Sequence, residues 1–354
     1  MRISQLGVVL SIALMLNVLG AIPNIRLLLA PAAAQTTDGR WESYPAFPSL
    51  EQQPTVPTMG DRITEAIKLL DAGKQYLEVN QYQDAFQSWQ QALAIFQENR
   101  IQTDQPSISR RGEASALMLL GVLYDELKSS QTSIEYYRQA LPIFQALGTR
   151  SSEASTLANF GVAYKQLEQY QKSIEYSEKA LSIFQELGDR SGEAKVLGNL
   201  GVAYIELGQY QRGLDYYQQA LPIHRELGDR KGEAIALLNL GNAYGKLNGY
   251  QQGINYYRQA LPIFRELGDR NMEGLLLANI GRLYANYDSP QSAIQFLQQA
   301  VEVRESIRKQ MQQLTQAVQQ SYVNSFASDY QLLADLLKQQ SLRTEAQQIL
   351  DLLK

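Results

Sequence analysis

Four asparagines, Asn159, Asn199, Asn239 and Asn279, fall forty residues apart in the chain. A carboxamide carries a donor and an acceptor, so a row of them suits hydrogen bonding to a peptide backbone rather than proton transfer. In the central copy Lys195, Asn199, Val202 and Glu206 are spaced i, i+4, i+7 and i+11 and share one helical side. Leu197, Gly201 and Tyr204 form the opposite, apolar stripe. Helices pack about 8–10 Å apart and an extended peptide rises roughly 3.3 Å per residue, so each amide would meet about every third peptide residue. One such bond contributes about 0.5–1.5 kcal/mol. Asn242, Arg282, Lys165, Lys195 and Lys246 lie nearby in register and are the candidates for side-chain selectivity. Two plainer readings stand beside this one: duplicated copies without a role, or amides bonded to a neighbouring backbone.

Catalytic chemistry finds little to work with. The chain has no cysteine and one histidine, His224, in the slot that Phe144, Phe184 and Phe264 fill elsewhere, which reads as a partly buried ring. Glu113, Glu153, Glu193, Glu233 and Glu273 recur in first turns, where the helix dipole stabilises a carboxylate. Tyr136, Tyr137, Tyr216, Tyr217, Tyr256 and Tyr257 read as packing between helices. There is no phosphate loop, metal-ligand cluster or nucleophile–base pair, so no enzyme, cofactor or metal site is expected. The formal charge is −4 with no dense basic run, which argues against nucleic acid and an anionic membrane surface as partners.

These residues must be held by a repeated element. Gly121, Gly161, Gly201, Gly241 and Gly281 recur in register, as do Tyr124, Tyr164, Tyr204, Tyr244 and Tyr284, and Ala140, Ala180, Ala220, Ala260 and Ala300. A fixed period of this size marks a solenoid, here all-α and built from antiparallel helix pairs. A first unit from Asp61 holds Gly73, Tyr76, Ala85 and Ala92, and a polar insert over 98–109 breaks the period once. Five regular units start near Arg111, Ser151, Ser191, Lys231 and Asn271, and a degenerate seventh runs from Tyr330 to Leu353 with Ala334 and Ala346. Glycine at 201 costs about 1 kcal/mol against alanine; its recurrence implies a helix crossing too close for a side chain, with Gly213, Gly253, Ser133, Ser173 and Ala293 facing it. Gly188, Gly228 and Gly268 suit left-handed caps, and Asp189, Asp229 and Asp269 suit N-caps. Pro142, Pro222 and Pro262 fall inside the second helices, which are expected to continue past them with a bend. The Gln-rich stretch 301–320 reads as a long, partly exposed helix.

The N-terminal part is different. Arg2, an apolar run from Leu6 to Ile22 and Ala32-Ala33-Ala34 describe a signal peptide over 1–34; an uncleaved membrane anchor is the alternative. Cleavage would leave 30 basic against 36 acidic residues, a charge of −6, and an exported, periplasmic or extracellular protein. Residues 35–60, with Pro45, Pro48, Pro54 and Pro57, read as a Pro-rich tether.

The order leucine, glycine, tyrosine in the first helix and small residue, alanine in the second resembles the tetratricopeptide repeat (TPR) over 61–354. The motifs LGDR-x-G-E-A and N-L-G-x-x-Y are similar to the forty-residue repeats of Pins-type adaptors and kinesin light chains. Leu117, Leu157, Leu197, Leu237 and Leu277 stand where that family usually has tryptophan. The resemblance implies a right-handed α-solenoid of about seven units whose first helices line a groove that binds a protein or peptide partner. The leader, the repeats and the closing LLADLLKQQ segment also resemble the front of bacterial proteins that carry a caspase-like (CHAT) domain. An adaptor half of such a protease system is one alternative function. A self-associating solenoid, sealed through Leu350, Leu352 and Leu353, is another.

Overall fold

A computed structural model describes residues 58–99 and 106–353. The leader and all but the last three residues of the tether lie outside them. The described residues belong to one compact unit, Pro57–Lys354, and form fifteen helices. Seven antiparallel pairs account for all but one: α1 (Met59–Glu78) and α2 (Tyr82–Asn99), α3 (Pro106–Glu126) and α4 (Ser130–Ala146), α5 (Arg150–Gln166) and α6 (Tyr170–Leu187), α7 (Arg190–Glu206) and α8 (Tyr210–Glu226), α9 (Arg230–Lys246) and α10 (Tyr250–Glu266), α11 (Arg270–Asn286) and α12 (Pro290–Gln310), α14 (Ala327–Gln339) and α15 (Arg343–Asp351). The extra helix, α13 (Gln316–Asn324), joins the last two pairs.

Local signals set these boundaries. Thr58 and Asp61 form a capping box, Thr58 N donating to Asp61 Oδ2 over 2.9 Å and Asp61 N to Thr58 Oγ1 over 3.2 Å, so the first helix begins two residues before the Asp61 read from sequence. Asp189 and Asp229 accept from the backbone N–H of Gly192 and Gly232 at 2.9 Å, and Asp269 from Met272 at 3.0 Å, which fills one orphan donor at each helix start. Gly188, Gly228 and Gly268 take φ of +67° to +70°. Each of α4, α8 and α10 runs unbroken through its proline. The Gln-rich stretch is not one long helix. After α12 ends at Gln310 a turn intervenes, and Thr315 starts α13.

Packing explains the glycines differently from a bare helix crossing. A Cβ on Gly201 would sit 2.3 Å from Cε1 of Tyr217, and Gly121 and Gly241 meet the rings of Tyr137 and Tyr257 at 2.4 Å. In these three units the second helix thus presses a tyrosine ring against the glycine, while Ser177 meets Gly161 and Leu297 meets Gly281. The facing slot is tight for a backbone reason as well, since a Cβ on Gly213 would come 3.0 Å from the Gly201 carbonyl. The neighbouring tyrosines stack in pairs, Tyr164 on Tyr176, Tyr204 on Tyr216 and Tyr244 on Tyr256, with centroids 5.3–5.4 Å apart. Leu197, Leu237 and Leu277, in the tryptophan slot, are buried, so the smaller side chain still closes the core.

The recurrent glutamates do more than answer the helix dipole. Glu233 is 8% exposed and accepts from Arg225 Nε at 2.8 Å across the turn between units and from Arg230 Nη1 at 2.6 Å in its own helix. Arg230 Nη2 reaches Glu266, 2.9 Å away in the last turn of α10. Glu153 repeats the arrangement with Gln145 and Arg150, Glu193 with Gln185 and Arg190, and Glu273 with Arg265 and Arg270. A polar seam therefore runs along one edge of the stack.

Candidate functional site

Successive first helices touch one another, α1 on α3, α3 on α5, α5 on α7 and α7 on α9, whereas successive second helices do not approach as closely. The first helices consequently form the inner face. The asparagines occupy that face, each half-buried. A cavity of about 790 Å³ is walled by Asn159, Asn199 and Asn239 with Lys165 and Lys195. It adjoins a second of about 560 Å³, walled by Asn239, Asn279, Asn242, Lys246 and Arg282. The two share Val202, Tyr217 and Asn239. All nine residues singled out from the sequence thus line one continuous trough across α5, α7, α9 and α11.

The amides are not equivalent. Asn159 and Asn239 make no side-chain hydrogen bond among the described residues. Asn199 Oδ1 accepts from Lys165 Nζ at 3.3 Å. Asn279 is held hardest, accepting from Arg282 and donating to Asn242 Oδ1 at 3.4 Å. Tyr257 also donates to Asn242, over 2.5 Å, and burial pushes its phenol up to about 12, so it remains a donor. The uniform ladder expected from the spacing is therefore two free amides alternating with two engaged ones.

The charges are equally uneven. Lys165 is half-buried and has no carboxylate partner among the described residues. Burial, reinforced by Lys128, pulls its ammonium below the usual lysine range. Arg282 is fixed from the opposite end of the stack, its guanidinium pairing with Asp329 at the start of α14. Asp329 is 3% exposed and lies 2.7 Å from Arg304 Nη2, a buried guanidinium that covers the Phe326 ring. That contact pairs the charges without hydrogen-bond alignment. This cluster is invisible in the sequence, since its members come from α11, α12 and α14 and share no period.

His224 is a buried ring, as read, but with a partner that the reading missed: its Nδ1 lies 2.9 Å from Asp229 Oδ2. The Gly232 N–H, then burial and His224, set the Asp229 carboxyl, with a net lowering. Among the described residues no group of acidic or histidine side chains is arranged to hold a metal ion.

Family models described as tetratricopeptide repeat match residues 152–226, 192–266 and 232–306, and another matches 114–143. The chain belongs to the tetratricopeptide repeat family. The matches overlap in forty-residue steps, as the helix pairs do. No curated protein matches the chain in sequence. Among solved structures it is similar to a signal transduction ATPase with numerous domains and a tetratricopeptide repeat sensor, from Pyrococcus horikoshii (TM-score 0.60, 19% identity, 82% of this chain and 45% of that one). It is also similar to the apo form of RapI (TM-score 0.58, 17% identity, 80% and 94%) and to BtubC from P. vanneervenii (TM-score 0.56, 20% identity, 63% and 90%). At these identities the likeness is one of fold. This tetratricopeptide repeat stack is a scaffold for protein interaction.

Proposed function

We propose that the trough binds an extended peptide segment of a partner protein and that the protein works as a non-catalytic scaffold, exported by its N-terminal leader. The observation that carries this is the convergence of nine polar residues, four of them the recurrent asparagines, on two adjoining cavities, with Asn159 and Asn239 left free to bond a ligand backbone. A Rap protein of similar fold was solved in complex with competence and sporulation factor (TM-score 0.50, 13% identity), which supports ligand binding by such a stack. Leu350, Leu352 and Leu353 are half-buried against the terminal core, so the trough, rather than the end of the stack, is the better binding surface.

The test is capture of peptides from a random dodecapeptide array by the full chain, compared with an Asn159→Ala/Asn239→Ala variant of unchanged melting temperature. Selective capture that weakens in the variant supports the trough. Equal capture by both proteins, or none by either, removes it.

A further inference from the structure

Gly198 is a helical glycine with no packing reason to be one. It lies in the middle of α7, where glycine is a poor helix residue. Gly192, Gly201, Gly232 and Gly241 are each pressed by a ring, whereas a Cβ on Gly198 would meet nothing within 4 Å. The corresponding positions in the other units are Ala158, Leu238 and Ala278. Gly198 lines the larger cavity beside Asn199. The missing side chain therefore deepens the trough at one place along its length.

The charge around that place is distinctive. Lys195 lies one turn before Gly198 on the same helix, a spacing that makes the two neighbours on its surface. Lys195 and Lys231, both exposed on the cavity wall, form no ion pair among the described residues, and Lys165 has only the neutral oxygen of Asn199. The seam on the outer edge is the reverse, with Arg150, Arg190 and Arg230 each paired to two glutamates. The two carboxylates on the cavity wall, Asp189 and Asp229, cap α7 and α9; Asp229 also holds His224 and attracts Lys195 without a direct ion pair, whereas Lys165 has no such carboxylate among the described residues. A half-buried ammonium lacking a counter-ion gains most from an incoming carboxylate, whose bond to it is charge-assisted.

Building on the trough reading above, we infer that Gly198 is a specificity-determining position: it floors a recess that receives an acidic side chain of the bound peptide, with Lys165 and Lys195 as its counter-ions. A peptide is favoured over another polyanion because the free amides of Asn159 and Asn239 on the two flanking helices match the donor and acceptor of a peptide backbone.

The experiment uses the full chain and the same dodecapeptide array, followed by fluorescence anisotropy with the best captured peptide and with the single-stranded oligonucleotide dT20. Captured peptides are expected to be rich in Glu and Asp. Gly198→Leu should weaken the best peptide at least tenfold while its melting temperature stays equal to or above that of the unsubstituted protein. Replacing the critical peptide Glu by Gln should cost about tenfold against the unsubstituted protein and little against Lys165→Gln/Lys195→Gln, which locates the pairing independently of Gly198. Peptides without acidic bias, unchanged affinity in Gly198→Leu, or dT20 binding as tightly as the peptide would each overturn the inference. If capture still depends on Asn159 and Asn239 in those cases, the trough reading survives and only the acidic recess is lost. Absence of any capture removes both.

Discussion

Arg225 reaches across the turn between α8 and α9 to Glu233, its Nε donating to Oε1 over 2.8 Å. This bond joins the last turn of one repeat to the first turn of the next, and the acceptor is buried while the donor is half exposed. The same junction recurs at each regular unit boundary from Gln145–Glu153 onward.

Glu233→Gln is expected to destabilise the stack by about 1–2 kcal/mol at neutral pH, the range for losing a hydrogen bond to a charged partner that is partly solvated. Burial raises the Glu233 carboxyl, but bonds from Arg225 and Arg230 outweigh it and the net shift is downward. A depressed carboxyl pKa contributes stability that is complete above the unfolded value of 4.5 and is lost as pH falls through the folded value. Thermal melts of both proteins between pH 7 and pH 3 should therefore converge at the acid end. A gap that persists there would contradict the assignment.

Asn159→Ala and Asn239→Ala together should weaken a trough-bound peptide by about 1–3 kcal/mol, since each free amide contributes about 0.5–1.5 kcal/mol. Melting temperature should not fall, because neither side chain bonds to a described residue and alanine is the better helix former. Anisotropy titration and circular dichroism read the two effects separately.

Two glycines three residues apart should respond with opposite signs. Gly198→Ala meets nothing within 4 Å and should stabilise by about 0.5–1 kcal/mol. Gly201→Ala drives its methyl to 2.3 Å from the Tyr217 ring and should cost about 1–3 kcal/mol through overpacking. Denaturant melts of the two single variants suffice to compare them.

Asp329→Asn leaves the 2%-exposed Arg304 without its carboxylate. Removing one partner of a buried pair costs about 3–5 kcal/mol, so this substitution should be the most damaging of the set. Its effect should concentrate in α14 and α15, where hydrogen exchange would show lost protection before the central repeats do.

Much of the fold was legible because forty-residue self-similarity places equivalent residues on equivalent faces. Asp189 caps its helix and Gly188 turns left-handed because those outcomes depend on neighbours in sequence. The trough was legible to the level of which side of α7 carries Lys195 and Asn199. What each side chain touches was not. Asn199 is engaged by Lys165, thirty-four residues earlier, and Arg282 by Asp329, forty-seven residues later. Those separations reflect how one hairpin leans on another, which the period alone does not specify. The Glu233 junction is illegible for the same reason: its first-turn carboxylate answers the dipole as expected, and only the tertiary turn reveals Arg225. The break at Met311 also escaped, because glutamine favours helix on both sides of it.

The first junction carries one more lesson. Gln97 Nε2 donates to Glu113 Oε1 at 3.4 Å over a separation of sixteen residues, where Gln145 and Glu153 are eight apart. The eight additional residues leave this tie in place. The edge of the stack that bears these turns should therefore act as a permissive port, where a spliced tag or tether leaves the trough to its guest.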